Sequence, residues 1–333
     1  LSKDEESRLG ELFISFNENQ DWKLLALAKR LKEKLPLKNQ KLSYLLIIPT
    51  LRCDLSCSYC QVSRAPLNAE GFDWDNTTIK NFHNYIDEME TDRVKIEFQG
   101  GEATLRPDLI KQVIDICENK FSETEFVICT NLLTISKEMD SIYRKDNVFI
   151  STSIDGPEEV MDQNRTQNRE QANHFFKNLD YVNKEYGSGK VSALPTITEK
   201  MLNDPKHLID FYISLGFDSI FLRPVNYMGF ARKNFKELSN EIDRWNKFYE
   251  ESINYIIKIN ESTYFEEFHF SLLLKNIVQL QNRGFVDFRS PSFFLQDYGV
   301  IDFDGKIYPS DEARMLSRTK HVDLSVGALG GSL

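Results

Sequence analysis

Short apolar runs alternate with longer amphipathic segments through the middle of this 333-residue chain. The short runs predict β-strands, and the longer segments predict helices because their apolar residues recur every three or four positions. Six strands are predicted, at 44–50, 94–99, 125–130, 148–155, 190–197 and 218–225. Helices are predicted near 76–90, 106–120, 134–144, 166–186, 204–216 and 235–259.

This alternation indicates an α/β protein with a parallel sheet whose apolar strands are buried on both faces. Six units are fewer than the eight of a TIM barrel, so we predict a partial (β/α)6 barrel. After 262 the pattern changes to one helix-like stretch and then two short strands, joined at FDGK by a predicted hairpin turn. The predicted parts are a helical N-terminal appendage at 1–42, the partial barrel at 43–260 and a small α+β C-terminal extension at 261–333.

Charge and hydropathy narrow the classes of function. The chain has 51 Asp and Glu against 41 Lys and Arg, a net charge of −10. Such a charge repels polyanions, so nucleic acids and anionic membranes are disfavoured as partners. No run approaches the ~20 apolar residues that a membrane span requires. Since no signal peptide is visible, we expect a cytoplasmic protein.

Three of the five cysteines crowd together directly after the first predicted strand. Cys53, Cys57 and Cys60 form a C-x3-C-x2-C pattern. Three thiolates on one loop can bind three irons of a [4Fe–4S] cluster and leave the fourth iron open. A closed zinc site is the alternative, but it needs a fourth ligand, and no His lies within twenty residues. The pattern therefore predicts a cluster at the end of a strand, where α/β folds place their chemistry.

This pattern, with the aromatic Tyr59 before the last cysteine, resembles the radical S-adenosylmethionine (SAM) superfamily. In that superfamily SAM chelates the open iron, and its reductive cleavage yields a 5′-deoxyadenosyl radical. The GGE, SIDGP and NR motifs, which follow later strands, agree with the resemblance. It implies that SAM is bound by Tyr59, Gln99, Gly100, Gly101, Glu102, Asn131, Ser153, Asp155, Arg165 and Arg223.

The resemblance also implies individual roles. Glu102 contacts the SAM amine, Ser153 the ribose and Arg165 the SAM carboxylate. From the residues alone, other interpretations stay open: Asp155 is equally a helix cap or turn carboxylate, and Arg165 a solvated residue at a helix start. Arg223 is either a SAM or substrate contact or part of a buried ion pair.

The segment YGVIDFDGKIYPSDEARM resembles the SPASM or twitch extensions of radical SAM peptide maturases, which carry ligands of auxiliary clusters. Here the sequence departs from that pattern, since Ser292 and Ser310 stand where cysteines are expected. The remaining cysteines, Cys117 and Cys129, are interpreted as small core residues. Two cysteines cannot ligate a full cluster, so no auxiliary cluster is expected from this chain.

Over 44–325 the chain resembles maturases of ribosomally made peptides, especially those of the His-Xaa-Ser system. The resemblance implies hydrogen abstraction from a precursor peptide, followed by a cyclophane-type C–C or thioether cross-link. Asp311 and Glu312 are candidate proton acceptors, with a solvated charge run as the alternative. Epimerisation and formylglycine-type oxidation are the alternative chemistries, and a non-catalytic iron–sulfur sensor is the alternative without catalysis.

The expected partners are the precursor peptide, an external flavodoxin- or ferredoxin-like electron donor and a separate leader-recognition protein. The last follows because 42 residues before the barrel are too few for a winged-helix domain; recognition by residues upstream of Leu1 is the alternative.

Overall fold

The computed structural model describes residues 41–166, 168–234, 239–279 and 298–331, together with residue 295 and six helical positions between 22 and 29. Contacts divide the chain into two compact units, 1–41 with 270–292 and 42–269 with 293–333. Most of the predicted N-terminal appendage lies outside the described residues. Among the described helices, none has the length and apolar character needed to cross a membrane. The predicted three-part domain division stays a prediction.

The described strands and helices follow the predicted order. The strands are β1 (Tyr44–Thr50), β2 (Arg52–Cys53), β3 (Ala65–Pro66), β4 (Arg93–Gly100), β5 (Glu123–Thr130), β6 (Val148–Ser153), β7 (Val191–Leu194), β8 (Ser219–Ile220), β9 (Glu266–Glu267), β10 (Gly299–Ile301), β11 (Lys306–Tyr308) and β12 (Gly327–Ala328). The α-helices are α1 (Asn76–Glu88), α2 (Pro107–Lys120), α3 (Lys137–Tyr143), α4 (Glu158–Met161), α5 (Arg169–Tyr186), α6 (Pro205–Ser214), α7 (Ala231–Asn234), α8 (Ser239–Ile259), α9 (Phe268–Gln279) and α10 (Asp311–Ser317).

One eight-stranded sheet, in the order β12-β11-β10-β1-β4-β5-β6-β7, forms the centre of the larger unit. Strands β10, β1, β4, β5, β6 and β7 are parallel, while β11 and β12 are antiparallel to their neighbours. The hairpin predicted at FDGK is present between β10 and β11, and it continues the main sheet. The predicted α/β fold with a parallel sheet is confirmed, and a described sheet that ends at β12 and β7 is compatible with a partial barrel.

The sixth predicted strand departs from the pattern. Strand β8 is only two residues long and pairs with β9 in a separate small sheet. A single bridge, from Ile197 to Pro224, links the following segment to the end of β7. The Leu222 N–H donates to the Glu267 carboxylate at 3.1 Å, 45 residues away in the chain, and is therefore lost to strand pairing.

The two faces of the sheet differ in polarity. Val94, Ile96 and Phe98 of β4 share the hydrophobic core with the helices, whereas the intervening side chains are polar. The prediction that the strands are buried on both faces is therefore correct for β1, whose seven residues are all buried. It is wrong for β4 to β7. We call the second side the polar face; its polar side chains are Lys95, Glu97, Gln99, Glu125, Cys129, Ser151 and Ser153, and Val127 and Phe149 lie on the same side.

Candidate functional site

The three clustered cysteines lie on the loop after β1, partly exposed and free of disulfides. Pairing of β2 with β3 fixes both ends of this loop. Within it, the Leu55 N–H donates to Cys53 Sγ at 3.4 Å, and the Cys60 N–H donates to the Cys57 carbonyl at 3.2 Å. Gly229 packs against the loop so closely that a Cβ there would lie 2.5 Å from the Cys60 carbonyl oxygen. The loop is therefore held by backbone contacts and leaves its thiols available.

Two glycines of the GGE motif support the start of this loop. The Gly101 N–H donates to the Thr50 carbonyl at 3.1 Å, and the Glu102 N–H donates to the Arg52 carbonyl at 2.8 Å. A Cβ on Gly101 would lie 2.3 Å from the Arg52 carbonyl oxygen, and one on Gly100, whose φ is +132°, would lie 2.2 Å from the Thr50 carbonyl oxygen. Glycine is needed here because the backbone of the cysteine loop approaches so closely.

Glu102 ties the ends of β4 and β5 to the same loop. Its buried carboxylate accepts from the Thr104 N–H at 3.2 Å, the Thr104 hydroxyl at 2.7 Å and the Asn131 N–H at 2.7 Å. Burial raises the pKa of Glu102, and the hydrogen bond from Asn131 opposes that rise. The Asn131 side chain in turn donates to Asp54, next to Cys53, at 2.6 Å. Glu102 and Asn131 thus position the cysteine loop.

A second network centres on Asp155, which is fully buried. The Arg165 guanidinium donates to both carboxylate oxygens, each bond being 3.1 Å long, and the Tyr59 phenol also donates to Asp155. Asn164 and the Thr196 N–H complete the network at 3.1 and 2.9 Å. These contacts join the ends of β6 and β7 to the cysteine loop. With only 11% of its side chain exposed, Arg165 is not a solvated residue.

Arg165 also brings positive charge to the cysteine loop. Its guanidinium lies 5.2 Å from the centroid of the Tyr59 ring. Burial raises the pKa of the Cys57 thiol to about 11, and the Arg165 charge opposes this rise. Because a thiol must lose its proton to bind a metal, a cation at this position favours ligation.

These donors fit an iron–sulfur cluster better than a single metal ion. Across the described ranges, no three His, Cys, Asp or Glu side chains converge as they would around one ion. The thiols of a [4Fe–4S] cluster each bind a different iron and need not converge on one point. An N–H to sulfur hydrogen bond and partial exposure are features that tune such clusters. Cys53, Cys57 and Cys60 would hold the cluster and leave one iron without a protein ligand.

Other predicted site residues lie on or near the polar face. Gln99 donates to Glu97 at 2.6 Å, and Ser153 is partly exposed at the end of β6. The Arg223 guanidinium lies 5.5 Å from the centroid of the Phe221 ring. Its positive charge partly opposes the rise that burial causes in the pKa of the Cys129 thiol.

The two remaining cysteines differ in environment. Cys117 is fully buried in the core, as predicted. The same prediction for Cys129 is wrong, because its thiol lies on the polar face and donates to Glu97 at 3.4 Å. Burial and the Glu97 charge raise the pKa of Cys129 well above its usual value, so this thiol keeps its proton. In EFVICT, the alternation of a strand places Cys129 on the other face of the sheet from the buried Phe126 and Ile128. This alternation could have predicted the position of Cys129, but the mostly apolar composition of the segment obscured it.

The candidate proton acceptors Asp311 and Glu312 lie in the first turn of α10. Asp311 accepts from Arg314 Nε at 2.7 Å, whereas Glu312 is exposed. Arg314 is fully buried and also lies 3.7 Å from Asp302. Asp311 is therefore held in a structural ion pair, and a catalytic role for either acid stays a prediction.

Ser310 has a structural role of its own. Its hydroxyl accepts from the Ala313 N–H at 3.1 Å and caps α10. The other serine compared with a cluster cysteine, Ser292, lies outside the described residues.

Comparison with known proteins agrees with this geometry. The family described as the Radical SAM superfamily matches residues 47–212, which include both networks and the cysteine loop. An uncharacterised protein of Methanocaldococcus jannaschii is 26% identical over 230 residues, or 62% of this chain and 70% of that protein. A serine-type anaerobic sulfatase-maturating enzyme of Bacteroides thetaiotaomicron is 25% identical over 183 residues, or 52% of this chain but only 44% of that enzyme.

Solved structures share the fold at lower identity. The structure of anSMEcpe with bound AdoMet and a Kp18Cys peptide has a TM-score of 0.66 and 17% identity, covering 87% of this chain and 78% of that one. Streptococcus suis SuiB bound to the precursor peptide SuiA has a TM-score of 0.62 and 19% identity, covering 96% and 70%. The cofactors of the matched family are a [4Fe–4S] cluster and SAM, which the thiol loop fits. On its motifs, its fold and the match over 47–212, this chain is an enzyme of the radical SAM superfamily.

Proposed function

We propose that this enzyme modifies a ribosomally made precursor peptide and forms an intramolecular cross-link in it, either a cyclophane-type C–C bond or a thioether. The observation that carries the proposal is the polar face beside the cysteine loop. Gln99 and Ser153, which lie at the carboxyl ends of β4 and β6 nearest the cysteine loop, are partly exposed on this face. A peptide backbone needs polar partners when it is buried, and this face offers amide, hydroxyl and charged groups.

The comparisons support a peptide substrate. Similar structures hold a Kp18Cys peptide in anSMEcpe and the precursor peptide SuiA in SuiB. The acidic chain is also better suited to a peptide than to RNA.

When bound beside the cluster, SAM would supply a primary carbon radical able to remove a hydrogen atom from the substrate. The chain supplies position and shelter. Cys53, Cys57 and Cys60 would hold the cluster. The networks around Glu102 and Asp155 hold the cysteine loop against the strand ends. The cluster and the substrate would then be kept in a fixed relative position, which favours their reaction.

The C-terminal extension favours one cluster per chain. Ser310, at a position where peptide maturases are expected to have a cysteine, caps a helix instead. Buried Asp302 lies 3.7 Å from Arg314 and 3.2 Å from Arg318, so ion pairs hold this segment together. We propose one [4Fe–4S] cluster and no auxiliary cluster from this chain. The external electron donor, the leader-recognition protein and a cytoplasmic location also stay predictions.

The sulfatase-maturating relative favours one alternative, the oxidation of a serine in a protein substrate. That class is expected to carry two further clusters. Iron content separates the two, because one cluster holds about four irons per chain and three clusters hold about twelve.

The test is anaerobic reconstitution followed by SAM, dithionite and the small peptides encoded beside the gene. We expect about four irons per chain, 5′-deoxyadenosine that rises with one peptide, and a mass loss of two hydrogens in that peptide. Cys57→Ala should lose the cluster and the activity, whereas the matched control Cys117→Ala, in the core, should retain both. A cluster that forms while SAM stays intact would leave a sensor as the better account.

A further inference from the structure

A buried carboxylate lies on the polar face and has no role in the networks around the cysteine loop. Glu97 is 6% exposed. It accepts hydrogen bonds from the Tyr44 phenol, from Gln99 at 2.6 Å and from the Cys129 thiol at 3.4 Å. In the part of the chain that the structure describes, all the hydrogen bonds to Glu97 come from neutral donors. Burying a carboxylate without a cation costs free energy, and such arrangements are concentrated at functional sites.

Glu97 lies on β4, three residues before the end of the strand, where Gly101 contacts the start of the cysteine loop. Residues two apart along a strand project from the same face. Cys129 and Glu125 are related in this way, by two such steps, on β5, and Asn131, just after the end of that strand, donates to Asp54, beside Cys53, at 2.6 Å. The cysteine loop therefore lies at the ends of β4 and β5, close to the position at which Cys129 contacts Glu97.

Cross-linking needs a proton acceptor on the substrate side of the site. Removal of one hydrogen atom leaves a radical on a peptide carbon, which bonds to an aromatic carbon or a thiol sulfur of the same peptide. The bonded species then loses one electron to a one-electron acceptor of the iron–sulfur class and one proton to a base. The peptide has then gained one bond and lost two hydrogens.

We propose that Glu97 is the catalytic proton acceptor of this step, with Tyr44, Gln99 and Cys129 as positioning residues. This inference rests on the proposed function. Protonation of Asp311 would leave the fully buried Arg314 without its closest partner, and breaking a buried ion pair is strongly unfavourable. Protonation of Glu97 breaks no ion pair among the described residues.

The test compares Glu97→Gln, which keeps the shape but cannot take the proton, with the wild type. The probe is the peptide on which the wild type causes the two-hydrogen loss, prepared with deuterium at its carbon positions. Each sample is scored for deuterated 5′-deoxyadenosine, cross-linked peptide, the dissociation constant of SAM and the melting temperature without cofactors. The matched control is Glu267→Gln, a second buried carboxylate, 2% exposed, that accepts from Tyr249 at 2.9 Å.

For Glu97→Gln we expect deuterium transfer to continue while cross-linked peptide falls about 100-fold, the lower range of general base catalysis. The ratio of 5′-deoxyadenosine to product rises accordingly, and SAM affinity stays within about twofold, since a Gln side chain still offers an oxygen to the Gln99 amide. Glu267→Gln leaves the ratio unchanged even if its melting temperature falls. Glu97→Asp, which keeps a carboxylate, should form more cross-linked peptide than Glu97→Gln. It replaces Glu97→Gln in the comparison with the wild type if Glu97→Gln does not fold.

A Glu97→Gln enzyme that forms product in the wild-type ratio overturns the inference alone. So does a variant in which 5′-deoxyadenosine and product fall together with the melting temperature, because that is the signature of a structural role. A wild type that cleaves SAM but removes two hydrogens from no peptide refutes the proposed function itself, and the inference with it.

Discussion

Replacing Asp155 by Asn should destabilise the chain far more than the loss of an exposed carboxylate. Asp155 is fully buried, and both of its oxygens accept hydrogen bonds. One oxygen accepts from Arg165 and the Thr196 N–H, and the other accepts from Arg165, Tyr59 and Asn164. An Asn side chain keeps only one acceptor oxygen. Whichever way its amide turns, its NH2 group faces at least two donors.

The loss also leaves the Arg165 charge without its partner. Breaking a buried ion pair by removing one member costs about 3–5 kcal/mol. For a unit of this size, each kcal/mol lowers the melting temperature by about 2–4 °C, so Asp155→Asn should lower it by about 6–20 °C. The matched control is Asp180→Asn, whose carboxylate is 61% exposed and pairs with Lys184 on the same helix at 2.6 Å. It should shift the melting temperature by about 1 °C at most.

The assay is thermal unfolding of the cofactor-free chain, followed by circular dichroism at neutral pH for wild type and both variants. Iron bound per chain after reconstitution is measured in parallel. We expect Asp155→Asn to bind less iron, because Tyr59 and Arg165 lose the contact that ties the cysteine loop to β6 and β7. A melting temperature for Asp155→Asn within about 2 °C of wild type would refute this reasoning, since the pair would then contribute no more than an exposed one.

Three further changes test the fold around the site. Gly101→Ala places a Cβ 2.3 Å from two backbone carbonyl oxygens, so the free energy of unfolding should fall by about 1–3 kcal/mol. The control Gly189→Ala, whose Cβ would meet no atom within 4 Å, should keep a melting temperature near that of the wild type. Ser310→Ala removes the cap of α10 and should cost about 1 kcal/mol in urea unfolding, most of which Ser310→Thr restores. The hydrogen bond from Tyr186 helps to lower the pKa of Asp140 to about 2, below the unfolded value of about 3.9. Charged Asp140 therefore stabilises the fold above pH ~4 and loses this effect as the pH falls through about 2, so melting curves of Asp140→Asn should decline less steeply with acid.

The elements of the fold were largely predictable because they depend on neighbours in sequence. Each predicted strand from 44 to 197 and each predicted helix from 76 to 216 is present, with ends moved by a few residues. The exception at 218–225 has a distant cause, the carboxylate of Glu267 that takes the Leu222 N–H. A local pattern carries no information on a partner 45 residues away.

The polar face was visible in the sequence but was misinterpreted. In VKIEFQ the polar residues Lys95, Glu97 and Gln99 stand at every second position, the period of a strand with one polar face. The apolar residues between them led to the expectation of burial on both faces. The alternation of polar and apolar residues predicts which face of the strand is buried better than the overall hydrophobicity of the segment does.

By itself, the sequence determined the order of strands and helices and the cysteine loop. These follow from spacing along one short segment, because three thiols within eight positions must share a loop. Only the tertiary structure decided the partners of the charged residues. Arg165 is bound by Asp155, and Glu97 accepts from three neutral donors on three strands. The physical reason is that a charge binds whichever group the fold brings within about 3 Å, and this depends largely on how separate strands and loops pack together.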